Sequence, residues 1–263
     1  MSLPERRDVS TISALIITKN EEKNIRDCLD SMRWVSEIVV VDAASKDHTI
    51  DIAKEFTQKI FNRPWDGYGA AKNFGLAQCT SDWILWLDAD ERVTAELQKE
   101  ILEQMTSVDT SIAAMSMPRR ANFLGNWINH CGWYPGRITR VFRRSAGQFT
   151  EEKVHERLEV HGKTLSLRSD LLHYTDPDLK HYFEKFNKYT SLAAEELIER
   201  NIGFVLVKMI VNPLWVFFRM YVLRLGFLDG IPGFILCVLS ANYVFTKYAK
   251  HWECSMHMKG KLQ

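Results

Sequence analysis

Several signatures are missing from this chain, and each absence narrows what it does. Its five cysteines, Cys28, Cys79, Cys131, Cys237 and Cys254, are scattered, odd in number and free of any C-x-x-C pair. That argues against a disulfide framework and a structural zinc site, and fits a reducing cytosol. Neither G-x-G-x-x-G after a strand nor G-x-x-x-x-G-K-[ST] occurs, so the glycines around Gly67, Gly69 and Gly75 do not form a phosphate loop of either kind. H-E-x-x-H is absent as well, because Glu159 stands three places after Glu156, so a zinc protease is not indicated. The formal net charge is only +1, which gives no reason to expect nucleic acid as a partner. Residues 1–10 are polar and charged with no apolar core segment, so no secretory signal is expected. No clean spanning run is present either. Residues 204–225 are interrupted by Lys208, Asn212-Pro213 and Arg219, and the uncharged run 231–245 is shorter than the roughly twenty residues a membrane span needs.

What is present describes an ordinary globular core. Hydrophobic residues make up 46% and charged residues 25% of 263, enough for one large domain or one domain with an appendage. Residues 12–18, ISALIIT, read as a buried first strand, and Asn20 then stands as a helix cap with Glu21 and Glu22 in the first turn. Residues 37–42, EIVVVD, read as a second strand ending in Asp42, with a helix opening near Thr49 and a brief strand around 59–61. Strands and helices alternate, the pattern of a parallel sheet covered by helices. An acid closing a strand either caps the next helix or faces a ligand at the carboxyl edge, and for Asp42 both readings stand.

The most informative stretch is 83–91, WILWLDADE. A buried strand emerges there into three carboxylates. Asp88 and Asp90 lie two apart, so in an extended chain both point the same way, and a hard divalent cation between them would relieve their repulsion. The alternative is a solvated acidic loop. Lys72, on a helix spanning about 70–77, either reaches a diphosphate or is a surface lysine.

In order and at suitable spacing, Thr18-Lys19-Asn20-Glu21, the segment from Val39 through Asp42 to Thr49, Ala71-Lys72-Asn73-x-Gly75 and Leu87-Asp88-Ala89-Asp90-Glu91 resemble family 2 glycosyltransferases of the GT-A fold, above all the small bacterial lipopolysaccharide-core glucosyltransferases. The resemblance implies a mostly parallel α/β sheet flanked by helices, followed by a helical, membrane-associating C-terminus. It implies a catalytic domain over 1–200, with a nucleotide-binding half at about 10–110 and an acceptor half at about 111–200, and a helical region over 201–263. It implies a nucleotide-diphosphate sugar donor, UDP-linked as first expectation, held by Thr18, Asn20, Glu21, Asp42, Lys72 and Asp88. Mg²⁺ or Mn²⁺ would sit on Asp90 and Asp88 with His173 completing the shell, although a plain structural histidine is an equal reading. The acceptor, a hydroxyl of a lipopolysaccharide-core or lipid-linked glycan, would meet Trp133, Tyr134, Arg140 and His155. Inverting displacement needs a base for that hydroxyl's proton, and Glu156 is the choice, with Glu151 and Glu152 as rivals. Where the family commonly has an acid, this chain has Gly136.

Secondary expectations complete the reading. Residues 113–117 form a strand, 118–125 a loop, 139–144 a strand, 165–174 a strand carrying His173, and 178–200 a long amphipathic helix. From residue 201 onward seven basic residues face two acids, which suits helices lying on an anionic membrane surface, against a buried hairpin or a dimer interface. The cytoplasmic face of the bacterial inner membrane is the expected location. Two rivals differ in kind: a transferase acting on a polyprenyl phosphate, which needs no general base, and a non-catalytic membrane-bound partner that keeps the fold. A phosphatase of the D-x-D-x-T type is disfavoured, because Arg92 takes the threonine position.

Overall fold

The computed structural model describes residues 10–64, 67–106, 109, 111–150, 157–200, 202–203 and 205–258. They divide into two compact units, one within Met1–Arg119 and Arg137–His173, the other within Arg120–Gly136 and Tyr174–Gln263.

The first unit begins with β1 (Ile12–Thr18), α1 (Ile25–Asp30), β2 (Glu37–Asp42), α2 (Thr49–Ala53), β3 (Ile60–Asn62), α3 (Tyr68–Gln78) and β4 (Trp83–Asp88). The order β3-β2-β1-β4 is parallel throughout. Such strands are covered on both faces, which is why β1, the end of β2, and β4 read as continuous apolar runs rather than alternating ones. Ile25, Cys28 and Leu29 of α1 are buried against this sheet, as their helical spacing predicts. Gly75 sets the approach of α3. A Cβ there would lie 2.4 Å from Leu15 Cδ1 and 2.9 Å from Val41 Cγ2, so only glycine lets the helix sit this close to the strands.

Next come β5 (Glu91–Val93), α4 (Ala95–Met105), β6 (Ile112–Phe123), β7 (Asn126–Trp127), β8 (Gly136–Arg143), β9 (Gly147–Phe149), β10 (Leu158–Val160), β11 (Lys163–Ser166) and β12 (Leu171–Asp176). Thr94 caps α4, its side chain accepting from Leu97 N at 3.1 Å. The sheet order is β3-β2-β1-β4-β8-β6-β12-β5, with β11 and β7 both on β6. β8 turns antiparallel to β4, and β12 antiparallel to β5.

Two expectations are corrected here. Residues 118–123, expected as loop, continue β6, whose end pairs with β7 and buries Met117, Pro118, Ala121 and Phe123 while Arg119 and Arg120 stay partly exposed. The single strand expected over 165–174 is two, β11 and β12.

The second unit holds the end of β6, β7, α5 (Leu179–Glu199), α6 (Val205–Phe218), a π-helical turn (Arg219–Leu223), a 3₁₀ turn (Gly226–Asp229) and α7 (Gly230–Met258). Asp178 caps α5, accepting from His181 N at 2.8 Å. The apolar cluster of this unit is Phe123, Ile128, Cys131, Met220, Leu236 and Cys237. The apolar run 231–245 belongs to a helix of 29 residues, twice the length the run alone suggests.

Candidate active site

Strand register brings the acids together. Thr18 pairs with Asp42 across β1 and β2, and Ile17 with Asp88 across β1 and β4. Three adjacent parallel strands therefore end on one edge bearing a hydroxyl and two carboxylates. In open α/β sheets that edge is where ligands bind. A cleft lined by Arg33, Glu37, Phe56, Lys59 and Thr80 lies at the other edge, where β2 begins, and includes none of Thr18, Asp42 and Asp88.

The loop after β1 is tied to the loop after β2. Asn20 takes a left-handed conformation, φ 56°. Its N–H donates to Ser45 Oγ at 2.8 Å and its Oδ1 accepts from Lys46 N at 2.8 Å. Asn20 is thus a loop clamp and not a helix cap, since α1 starts only after Asn24. Glu21 N donates to Thr49 Oγ1 at 2.7 Å, and Glu21 Oε2 accepts from Asn24 Nδ2 at 2.8 Å. Asp42 is fully buried, and its carboxylate accepts from Ser45 N at 2.8 Å and Ser45 Oγ at 2.5 Å. It shapes the β2–α2 turn. Thr18 Oγ1 is buried with no hydrogen-bond partner among the described residues.

The acidic turn between β4 and β5 rests on a guanidinium. Arg140 is 1% exposed, and its Nη2 donates to Asp88 Oδ2 at 2.6 Å and to Glu91 Oε1 at 2.7 Å. Its plane lies over the Trp86 ring at 3.6 Å. Glu91 also accepts from Asp88 N at 3.2 Å and faces Arg119 Nη1 at 3.5 Å. Arg140 was expected on the acceptor side. The structure places it beneath the acidic turn, where the fully buried Glu91 carboxylate demands a cation.

Electrostatics follow. Burial by itself would raise the Asp88 carboxyl, but Arg140 and Lys72 outweigh it and hold it below its usual range. For Glu91 burial wins and pushes the carboxyl up against the pull of Arg140. Lys72 is not a surface lysine. It is 4% exposed, with Nζ 4.1 Å from the centre of the Trp86 ring and 5.5 Å from that of Phe149.

Asp90 and His173 meet, Oδ2 to Nε2 at 3.3 Å, because β12 pairs with β5 and sets His173 opposite Glu91. Among the described residues no group of three or more His, Cys, Asp or Glu side chains forms a metal cage. The donor set suits a different arrangement. Mg²⁺ is usually held by one or two carboxylates while substrate phosphates supply the rest. Asp90, backed by His173, and Asp88, whose side chain is 43% exposed, fit that role.

Trp133 and Tyr134 lie in the second unit. Trp133 packs edge-on to Phe123 at 6.1 Å, at the rim of that unit's apolar cluster. His155, Glu156, Glu151 and Glu152 lie outside the described residues. Sequence reasoning gave no role to Glu91 or Trp86. The signal that was available for Glu91 is its place in an apolar frame, between Ala89 and Val93.

The chain belongs to glycosyl transferase family 2, whose family model matches residues 13–168. It is a glycosyltransferase with the GT-A fold. It is 30% identical over 249 residues to the lipopolysaccharide core biosynthesis glycosyltransferase LpsC of Rhizobium meliloti, covering 92% of each chain. An uncharacterized glycosyltransferase of Rickettsia typhi is 28% identical over 256 residues, covering 93% of this chain and 88% of its own. Among solved structures, the mannosyltransferase PcManGT of Pyrobaculum calidifontis, in complex with GDP-Man and Mn²⁺, shares the fold at a TM-score of 0.55. Identity there is 13%, covering 92% of this chain and 87% of that one.

Proposed function

We propose that this enzyme transfers a sugar from a nucleotide-diphosphate donor, UDP-linked first among candidates, to a hydroxyl of a lipopolysaccharide-core or lipid-linked glycan, inverting the anomeric centre. The observation that carries the donor half is the shared edge of Thr18, Asp42 and Asp88, with Asp90 and His173 beside it. The acceptor class is supported by the relative that bears a lipopolysaccharide-core name. Work at the cytoplasmic face of the inner membrane follows from that acceptor and from the apolar C-terminal helices.

Each residue has a task in this reading. Thr18 offers its unpartnered hydroxyl to the nucleotide, and the Asn20–Ser45–Asp42 clamp fixes the loop under the base. Lys72 places positive charge near the diphosphate from a buried position, where a lysine acts at close range without the screening of bulk water. Asp90 and Asp88, with His173, would hold Mg²⁺ or Mn²⁺. Such a cation neutralises charge on the departing diphosphate as a Lewis acid. Glu156 takes the proton of the acceptor hydroxyl as the new bond forms. Trp133 and Tyr134 offer ring faces to the acceptor sugar.

The test is a screen of nucleotide sugars for metal-dependent hydrolysis, with Asp90→Ala beside the native enzyme. One donor should be turned over with Mn²⁺ or Mg²⁺, and Asp90→Ala should lose at least about a hundredfold, the scale on which one electrostatic stabiliser acts. Equal turnover of every donor by both proteins would sink the assignment.

A further inference from the structure

Among the described residues two stretches are long and apolar enough to cross a membrane, Val205–Leu223 and Gly226–His257. Their attachments inside the second unit speak against crossing. The turn between them is gripped by the segment before β8. Asn129 N and His130 N donate to the Asp229 carboxylate at 3.1 and 2.8 Å, and His130 Nδ1 lies 2.9 Å from Asp229 Oδ1. Cys131 N donates to Arg224 O at 3.0 Å. Farther along, α7 is gripped by α5. Tyr243 Oη donates to Tyr189 O at 3.2 Å, and Lys250 Nζ donates to Asn187 O, Asn187 Oδ1 and Ser191 Oγ at 2.9, 2.8 and 2.8 Å.

The two grips hold α7 near both ends, at Asp229 and at Lys250, about 30 Å of helix apart. Between them α5 lies beside α7: Tyr182 packs at the cluster that contains Leu236 and Cys237, Phe186 meets Tyr243 edge-on at 5.9 Å, and Asn187 holds Lys250. A hydrocarbon core is about 30 Å thick, so a crossing α7 would draw α5, which exposes Glu184, Lys188 and Glu195 to water, into it.

The hairpin nevertheless offers a long apolar face. Leu206, Ile210, Leu214 and Phe218 recur every four residues on α6 with 45 to 68% exposure, and no residue of α6 is buried. The face runs on through the turn, where Leu228 is 57% exposed, to Ile231 at 76%. An apolar turn is not what emerges into water beyond a span. Arg219 and Arg224 are exposed at the same end, and basic residues outnumber acids along the whole segment. Apolar surface of this extent needs a cover, and the positive charge selects an anionic lipid surface.

We infer that α6, the turn and α7 lie in the plane of one anionic leaflet, inserted on one side only and not crossing. This deepens the proposed membrane-borne acceptor and rests on that reading. It makes the second unit a one-sided float that holds the enzyme at the surface where a lipid-linked glycan projects.

The test uses the full chain with Cys254→Ser, which leaves the four buried cysteines Cys28, Cys79, Cys131 and Cys237 in place. Single spin labels are attached through Val207→Cys, Val211→Cys, Leu214→Cys and Phe218→Cys, which share one arc of the helix and are 45 to 68% exposed. Depth is read by oxygen and nickel-chelate accessibility on vesicles of phosphatidylethanolamine and phosphatidylglycerol. An in-plane helix places all four labels at nearly one depth, about 5–10 Å below the headgroups. Binding should weaken severalfold on phosphatidylcholine alone or at high salt. A spanning α6 would instead grade the labels over about 16 Å, the length of the helix between the first and the last. That gradient overturns the inference, as do labels that stay in water or that are shielded by a second copy without lipid. Donor hydrolysis on the same samples separates the two claims. Hydrolysis with a graded profile sinks only the in-plane placement, and a flat profile without hydrolysis of any donor sinks only the transferase chemistry proposed above.

Discussion

Replacing Arg140 by methionine is the sharpest test of how the acidic turn is held. The guanidinium is 1% exposed and meets Glu91, which is 0% exposed, at 2.7 Å. Removing one partner of a buried pair leaves the other charge desolvated, at a cost of about 3–5 kcal/mol. The second contact, to Asp88, counts for less, because that side chain is 43% exposed and water screens it, so at most about 1 kcal/mol is added there. Arg140→Met should therefore lose about 3–5 kcal/mol in urea denaturation followed by tryptophan fluorescence. Glu91→Gln alone should lose less, since the amide still accepts from Arg140. The double variant should be no worse than Arg140→Met, giving a coupling of about 2 kcal/mol or more where independent sites would add.

The pH dependence has a definite sign. Burial already holds the Glu91 carboxyl above its ordinary range, and loss of Arg140 pushes it further up. Native protein then binds more protons than unfolded protein between the ordinary glutamate value and the raised one. Stability contributed there is present at low pH and lost as pH rises. Arg140→Met should accordingly regain stability on mild acidification, and the double variant with Glu91→Gln should not. A loss under about 1 kcal/mol in the single variant, or strict additivity, would refute the ion-pair reasoning.

Three further outcomes follow. Thr18→Val removes a buried hydroxyl that has no partner among the described residues, so stability should hold or rise by about 1 kcal/mol while affinity for the donor nucleotide in calorimetry falls severalfold. A stability loss above about 1.5 kcal/mol would show that the hydroxyl is satisfied within the protein. Glu37 is lowered from 4.5 to about 2, because Lys59, Ser13 and the Thr80 N–H outweigh the burial that would raise it. That stability is present above pH 4.5 and lost as pH falls toward 2, so Glu37→Gln should flatten the acid limb by at most about 3 kcal/mol, and an unchanged limb would remove Glu37 from the account. Gly75→Ala puts a Cβ 2.4 Å from Leu15 Cδ1 and should cost about 1–3 kcal/mol in thermal melts, with a neutral result meaning that α3 can ride away from the sheet.

The strands and the acids that close them were legible because their signals are local. Parallel strands buried on both faces appear as apolar runs, and Asp42 and Asp88 close two of them. Where the decisive contact lies far along the chain, local reading fails. Asn20 stands before a helix like a cap, yet its partners are Ser45 and Lys46, and Pro118-Arg119-Arg120 looks like a loop until β6 is seen to run on through it to pair with β7. Arg140 sits in a strand rich in basic residues, where nothing in the sequence marks one arginine as buried. Only the fold brings it to Asp88 and Glu91, fifty-two and forty-nine positions earlier.

That contact also divides labour among the three carboxylates. Glu91 faces inward, paired to Arg140, and serves the turn. Asp88 gives one oxygen to Arg140 and remains partly open, while Asp90 turns to His173. Three acids in four positions therefore do not make a three-carboxylate metal site. One anchors, one bridges, and one, in the function proposed above, is left to meet a cation that would arrive on a diphosphate. A cation bound that loosely by protein alone should show weak affinity without nucleotide and tighten when the diphosphate is added. Isothermal titration of Mn²⁺ with and without UDP measures it, and equal affinity in both arms would mean that the protein supplies a complete shell after all.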